Sequence, residues 1–485
     1  MRFNYKVIIH ILGILLVLNG LFMLLCIPFS LYFGEGDLIA ISLSAGITIA
    51  VGFLLWITTR KNRSKELRKR EGYLVVTAGW LTMSFFGSLP YVLSGSIPDL
   101  TNAFFETLSG YSTTGATILT DIEAVNKGIL FWRSLTQWIG GMGIIVLTVA
   151  ILPILGIGGM QLFVAEAPGI SPDKLQPRIK ETAKRLWLIY MGLTVVETAL
   201  LWIGGMDFYD AINHGLTTMA TGGFSTKNAS IAHYASPFIQ YVIIGFMFLA
   251  GTNFTMTYFG LHVNFRKVLR NEEFRYYLIF CLGISVIVGL IIFGLGHDSF
   301  EKSMRDALFN VVSIITTTGY VTHDYTAWTS FLTLFFFIMM FFGASAGSTA
   351  GGVKIVRHII LIKNSILELK RQVHPAAVIP VRFNGKAVTQ DITFNILAFI
   401  MIYISIFAFG SIIMGILGLD FMTAIGSVAT CLGNIGPGVG SVGPVDNFAH
   451  LPAAGKWFLA FLMLLGRLEL FTVLILFTPY FWRKI

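Results

Sequence analysis

The chain alternates long apolar runs with short polar connections. Ten runs are long enough to cross a bilayer, whose core takes ~20 consecutive apolar residues per helix. They cover roughly 7–33, 38–59, 73–97, 129–155, 185–206, 236–262, 277–296, 329–353, 392–418 and 455–482. From residue 73 onward, each pair of runs encloses a stretch too short and polar to span, yet too apolar for a plain loop. These stretches align without gaps: NAFFETLSGYSTTGAT from Asn102, DAINHGLTTMATGGFS from Asp210, DALFNVVSIITTTGYV from Asp306 and TAIGSVATCLGNIGPG from Thr423. Internal repeats of this kind dictate architecture more strongly than any local signal.

The aligned columns have physical meaning. Asn102, Asp210, Asp306 and Thr423 are helix N-capping residue types, followed in every copy by Ala, the best helix former. Glu106, His214, Asn310 and Ser427 form a polar column, Ser109, Thr217, Ser313 and Thr430 a hydroxyl column, and Gly115, Gly223, Gly319 and Gly436 a glycine column. Each stretch therefore predicts a helix of about ten residues, or ~15 Å, that enters half the membrane and returns as extended chain. Non-helical backbone at that depth is tolerated only when buried in protein or lining a water-filled cavity. The expected fold is an all-α integral membrane protein. Four pseudo-repeated helix–pore-loop–helix units surround a central pore, plus two N-terminal transmembrane helices. The divisions fall at 1–72, 73–180, 181–275, 276–390 and 391–485.

Composition agrees with the pattern: 55% of the 485 residues are hydrophobic and only 12% charged, with mean hydropathy +0.76. A soluble chain carries about 25% charged residues. The first run is too long for a cleaved signal peptide and has no small-residue cleavage site behind it, so it reads as a retained helix. Cys26, Cys281 and Cys431 stand at no metal or redox spacing. The net charge of +9 does not point to nucleic acid, because the basic residues gather in alternate connections. The loop after the second run holds Arg60, Lys61, Arg63, Lys65, Arg68, Lys69 and Arg70, whereas the opposite connections hold Asp99, Asp121, Glu123, Asp207, Asp210, Asp324, Asp420 and Asp446. The positive-inside bias predicts a multi-pass protein of the cytoplasmic (inner) membrane with both termini cytoplasmic. The acidic side, and so the mouth of the four dipping stretches, faces out.

Each short helix would aim its C-terminal end, with about half a negative charge, at a common cavity. The segments that follow are Ser112-Thr113-Thr114-Gly115, Ala220-Thr221-Gly222-Gly223, Thr316-Thr317-Thr318-Gly319 and Gly433-Asn434-Ile435-Gly436. Small and hydroxyl residues ending in glycine allow carbonyls to turn toward an axis, and carbonyl rings can replace an ion's hydration shell. No carboxylate stands in these segments, whereas a divalent site would use several. A weakly hydrated monovalent cation fits better.

The motifs SGYSTTGAT, ATGGFST, TTTGYVT and LGNIGPG resemble the Trk/Ktr/HKT superfamily of potassium and sodium transporters, in particular its bacterial TrkH branch. The resemblance covers the whole chain, since that branch also carries two extra N-terminal helices. It implies one filter glycine per unit: Gly115, Gly223, Gly319 and Gly436. Sodium-preferring plant members often have Ser at the first of these, so Gly115 implies potassium, K+, as the permeant ion, with no organic cofactor. The fourth segment, with Asn434, Ile435 and Pro437, departs most from the others. The resemblance further implies a homodimer and a cytosolic nucleotide-binding regulatory subunit of the TrkA type, docked on basic loops that otherwise contact lipid or water.

Two features address gating. Gly343-Ala-Ser-Ala-Gly347-Ser348-Thr349-Ala-Gly351-Gly352 is a poor helix, yet it also fits a close helix-packing patch. The resemblance implies an intramembrane loop that obstructs the pore. Arg467 falls inside the last apolar run, where an arginine costs ~2.5–3.5 kcal/mol on insertion scales and marks ion pathways by default. It reads either as a pore-facing cation below the filter or as a structural partner of Glu469 or Glu197. Gly438-Val-Gly440-Ser-Val-Gly443 matches the dinucleotide fingerprint formally but lacks its strand–helix setting. His214 and His323 have no ligand-spaced neighbours. A secondary transporter of another small solute, with a broken-helix binding site, is the alternative, although such folds usually show two repeats rather than four. No constellation for catalysis is present.

Overall fold

The computed structural model describes residues 4–60, 69–141, 143, 179–296, 299–374, 377 and 379–483. Among them, six helices are each long and apolar enough to span a bilayer: Tyr5–Phe33, Leu38–Thr59, Arg70–Ser94, Lys184–Ile203, Glu272–Gly294 and Gln390–Ile416. Their outward faces carry large exposed apolar side chains such as Ile279, Val286, Leu290, Phe394, Met401 and Phe409. Such a surface is stable only against lipid or another apolar surface. The first two helices lie flush against each other because a Cβ on Gly13 would stand 2.8 Å from the Gly52 carbonyl oxygen. Small residues at such crossings let membrane helices approach backbone to backbone.

Four units follow, each with an outer helix, a short pore helix and an inner helix. The pore helices are Leu100–Tyr111, Phe208–Met219, Phe300–Ile315 and Phe421–Gly433. At 12 to 16 residues they reach about 18–24 Å and are mostly buried, unlike outer helices such as Glu272–Gly294 and Gln390–Ile416. Their N-caps lie upstream of the column the sequence suggests. Asp99 accepts the Asn102 amide at 2.9 Å, Asp207 that of Tyr209 at 3.1 Å, Ser299 that of Lys302 at 3.4 Å and Asp420 that of Thr423 at 3.1 Å. Asn102 and Thr423 thus occupy the third helical position, with their own amides capped. The first turn is set by the residue whose extended backbone stops the preceding loop, not by the first aligned polar residue.

The inner helices depart most from the sequence expectation. The run read as 129–155 forms Lys127–Gly141, and its remainder passes outside the described residues. The run read as 236–262 is two helices, Pro237–Gly251 and Phe254–Leu261, bent by 116°. The run at 329–353 is helical only over Ser330–Met339, and the chain resumes as Ile355–Val373. The last run breaks between Ala453–Arg467 and Phe471–Phe477, with a bend of 113°. At that break Glu469 and Leu470 adopt left-handed φ of 54° and 57°. Arg467 is therefore the final residue of a helix rather than a mid-helix position.

The cap of the fourth pore helix is testable. Hydrogen bonds from Thr423 hold the Asp420 carboxyl below its ordinary pKa. The stabilisation is therefore complete above the usual carboxylate range and disappears as pH falls through the depressed folded value. Asp420→Ala should cost about 1 kcal/mol, read as a lower unfolding midpoint in detergent at pH 7, with the difference from the parent protein shrinking in acid.

Candidate ion-conduction site

The four pore helices end in one shared motif. After each last turn the chain enters the left-handed region at Thr113, Thr221, Thr317 and Asn434, with φ of 53°, 52°, 55° and 54°. The next amide then returns to the hydroxyl column's carbonyl: Thr114 to Ser109 at 2.9 Å, Gly222 to Thr217 at 2.9 Å, Thr318 to Ser313 at 2.8 Å and Ile435 to Thr430 at 3.0 Å. That is the Schellman termination, usually built with glycine at the left-handed residue. Here three of the four are threonines, a β-branched type that rarely tolerates positive φ, and such strain costs of order 1–3 kcal/mol per residue. Backbone strain held by its surroundings points to a site rather than a simple turn.

The fourth residue of each segment turns left-handed again: Gly115 at 82°, Gly223 at 76°, Gly319 at 80° and Gly436 at 105°. The environments of these glycines close a ring. A Cβ on Gly115 would overlap the Gly222 carbonyl oxygen, one on Gly223 that of Thr318, and one on Gly319 that of Ile435. A Cβ on Gly436 would stand 2.7 Å from the carbonyl oxygen of Thr114. Each unit's glycine is thus pressed against the third carbonyl of the next unit, in the order one, two, three, four and back to one. The outer segments repeat the same order of neighbours. The Ile122 amide donates to Asn228 at 2.7 Å, Ala232 to the Val321 carbonyl at 3.0 Å, Tyr325 Oη to the Gly438 carbonyl at 2.8 Å, and the Phe448 amide to the Thr117 carbonyl at 2.8 Å. The sixteen segment residues (112–115, 220–223, 316–319 and 433–436) therefore surround one axis.

The polar column braces the returning chains. Glu106 accepts from the Ile118 amide at 2.8 Å and Thr117 Oγ1 at 2.9 Å while paired with Arg133 at 2.7 Å. His214 meets the Asp210 carbonyl at 2.7 Å and Ser225 Oγ at 2.9 Å, so it is a satisfied buried histidine. Asn310 Nδ2 donates to Thr322 Oγ1 at 3.3 Å. Gln137, which the sequence did not single out, donates to the Gly222 carbonyl at 2.5 Å and accepts from the Phe224 amide at 3.0 Å. Among the described residues no cluster of three metal-ligating side chains exists.

Residues 343–352 form an irregular loop directly beneath this ring. The Gly351 amide donates to Thr317 Oγ1 at 2.7 Å, and a Cβ on Gly351 would stand 2.7 Å from the Gly433 carbonyl oxygen. Thr349 Oγ1 donates to the Met219 carbonyl at 3.1 Å, at the end of the second pore helix. Arg467 closes the fourth side, donating to Thr113 Oγ1 at 3.2 Å and to the Thr349 carbonyl at 2.8 Å. It also donates to the carbonyls of Gly140 and, at 2.9 Å, Gly141. Glu469, one of the partners considered for Arg467, instead forms an ion pair with Arg357. Both unforeseen helix breaks hold the loop. Gly251 and Gly347 exchange backbone bonds with it and with the second inner helix, through Ser345 to Gly251 at 3.0 Å and Phe254 to Gly347 at 3.1 Å. Lys354 donates to the Ala350 carbonyl and, at 3.3 Å, to that of Gly351. Ser348 turns its hydroxyl back to the Ser345 carbonyl at 2.6 Å, and Gly352 at φ 66° lies against Gly343. The signals for the breaks were Gly251-Thr-Asn253, with Asn253 capping the new helix, and two charges within three residues at Arg467 and Glu469.

Spanning helices around a ring of four re-entrant backbone segments define a membrane transport protein, with no catalytic constellation at its centre. Relatives agree. The family model for TrkH, "Cation transport protein", matches residues 39–297 and 298–484. The chain is 41% identical to the Trk system potassium uptake protein TrkH of Salmonella typhimurium, across 99% of this chain and 100% of that one. It is 34% identical to TrkG of Escherichia coli K12 across 99% of both. The crystal structure of the potassium transporter TrkH from Vibrio parahaemolyticus matches with a TM-score of 0.89 at 36% identity, covering 99% of this chain and 100% of that one. The chain belongs to the TrkH family of cation transport proteins.

The Arg357–Glu469 pair ties the helix after the loop to the break in the fourth unit, with the Arg357 guanidinium 4.0 Å above the Phe399 ring. Glu469→Leu leaves that arginine buried without its counter-charge and should cost about 3–5 kcal/mol. Adding Arg357→Met should recover most of the loss. Denaturation midpoints of the two purified variants in detergent check both outcomes.

Proposed function

We propose that this chain admits potassium through the cytoplasmic (inner) membrane, with residues 112–115, 220–223, 316–319 and 433–436 as a selectivity filter. The observation that carries the reading is the closed ring of glycines. Each occupies left-handed backbone and is pressed against a neighbour's carbonyl, so the spacing around the axis is fixed by contact. Four pore-helix C-termini add partial negative charge at the inner end, which favours a cation without supplying the carboxylates a divalent ion would demand. Selectivity follows from replacing the water of a weakly hydrated monovalent ion by oxygens the protein already holds in position. The relatives' printed role, potassium uptake, is the same.

In this reading the loop at 343–352 and the Arg467 guanidinium are the closed gate. Gly343, Gly347, Ser348, Thr349, Gly351 and Gly352 supply a chain without bulky side chains under the filter. Arg467 adds a positive charge that repels an arriving ion and is itself held by carbonyls. Opening requires the loop to leave Thr317, Asn434, Met219 and Arg467. The amphipathic helix Ile355–Val373 continues directly from the loop and ends in Lys370 and Arg371. A cytosolic nucleotide-binding subunit of the TrkA type, acting on a homodimer of this chain, would gain purchase there. The unit boundaries at 73, 181, 276 and 391 follow from the same arrangement, with both termini cytoplasmic.

Liposomes containing the purified chain should pass K+ and Rb+ well ahead of Na+. Equal passage, or competition of an organic solute with Rb+ flux, overturns the reading. Gly223→Ser adds a side chain where the Thr318 carbonyl stands and should lower the K+/Na+ ratio, read in the same flux assay. Deleting Gly347 and Ser348 should raise basal flux, and a slower protein would count against the loop as gate.

A further inference from the structure

We infer that the two N-terminal helices, which a four-unit pore does not itself need, set the position of the first filter wall through a buried Asn19–Tyr111 hydrogen bond. The inference rests on the filter reading above. Tyr111 is the last residue of the first pore helix, immediately before Ser112. The same column holds Met219, Ile315 and Leu432 in the other units, so only the unit packed against the N-terminal pair carries a polar group there. The Tyr111 hydroxyl donates to Asn19 Oδ1, and Asn19 Nδ2 donates to the Met83 carbonyl at 3.4 Å. Both side chains are fully buried.

The ring is confined from several sides. A Cβ on Gly87 would stand 2.9 Å from the ring and 3.2 Å from the hydroxyl. Trp132 packs edge-on at 6.4 Å while its indole nitrogen donates to the Gly87 carbonyl at 2.9 Å. The backbone of Tyr111 is equally constrained, because its carbonyl lies where any Cβ on Gly140 would go, and the Gly140 carbonyl accepts from Arg467. Tyr111 is therefore anchored at its hydroxyl to the N-terminal helix and at its main chain to the underside of the filter. A buried amide without a partner is costly, so Asn19 holds its bond firmly, and a shift of that helix reaches Ser112 through one rigid aromatic side chain. The equivalent side chains of the other three units, Met219, Ile315 and Leu432, offer no polar group for such an anchor.

Asn19 and Tyr111 are thus positioning residues for selectivity. The competing account makes the bond plain interhelical glue, which predicts lower stability and nothing more. The two separate in a variant set: Tyr111→Phe, Asn19→Leu and the double variant. Each single change should lower the unfolding midpoint and reduce the K+/Na+ flux ratio about two- to twelvefold, the usual worth of one hydrogen bond. In the double variant no orphaned polar group remains, so stability should return toward that of the parent while the flux ratio stays low. A stable double variant with the parental ratio overturns the inference and leaves the filter reading intact. A parent protein that does not discriminate K+ from Na+ overturns both.

Discussion

Irregular backbone at membrane depth is the constraint from which the rest of this structure follows. No water is present there to satisfy a stray amide or carbonyl, so every residue that leaves a helix needs a partner within the protein or a species in the pore. The chain meets this demand at the four filter segments and at the three broken inner helices. In each re-entrant segment the amides of the second and third residues turn back onto the preceding helix's own last carbonyls. Each exposed carbonyl at the third position rests against a neighbouring glycine.

The four units share this solution but are not equivalent. Units one and three match closely, with paired hydroxyls at Ser112 and Thr114 (2.7 Å) and at Thr316 and Thr318 (2.8 Å). Unit two relies on Gln137 to hold Gly222. Unit four substitutes Asn434, whose amide reaches Thr114 of unit one at 3.0 Å and the Met463 carbonyl at 2.9 Å. The segment least like the others is thus tied across the ring by a side chain the others lack. Its glycine is also the least crowded of the four, with 2.7 Å between a Cβ and the Thr114 carbonyl oxygen.

Below the ring, the breaks in units two and four clamp the loop of unit three. The bend after Gly251 supplies backbone partners, and the bend after Arg467 supplies the Glu469 carboxylate for Arg357. A loop held among three chain breaks has few helical hydrogen bonds of its own, and its partners are instead the backbone groups of the neighbouring units.

The membrane class, the two-plus-four organisation, the short buried helices and the position of the four re-entrant segments that follow them were legible in the sequence. Each depends on local rules: apolar run length, charge alternation, and a repeat whose columns keep one residue type. The polar and hydroxyl columns were visible too, though what they bond was not. The sequence misplaced the caps and read the second and fourth inner helices as continuous, because Gly251–Asn253 and Arg467–Glu469 are short and their flanks are as apolar as any span. Only the tertiary structure decided that threonines would adopt left-handed backbone, that Glu469 would serve Arg357, and that Asn19 and Gln137 would brace walls far away in sequence. Those outcomes are settled by which neighbour stands opposite at low dielectric, and a partner 85 to 112 residues distant leaves no mark on local pattern.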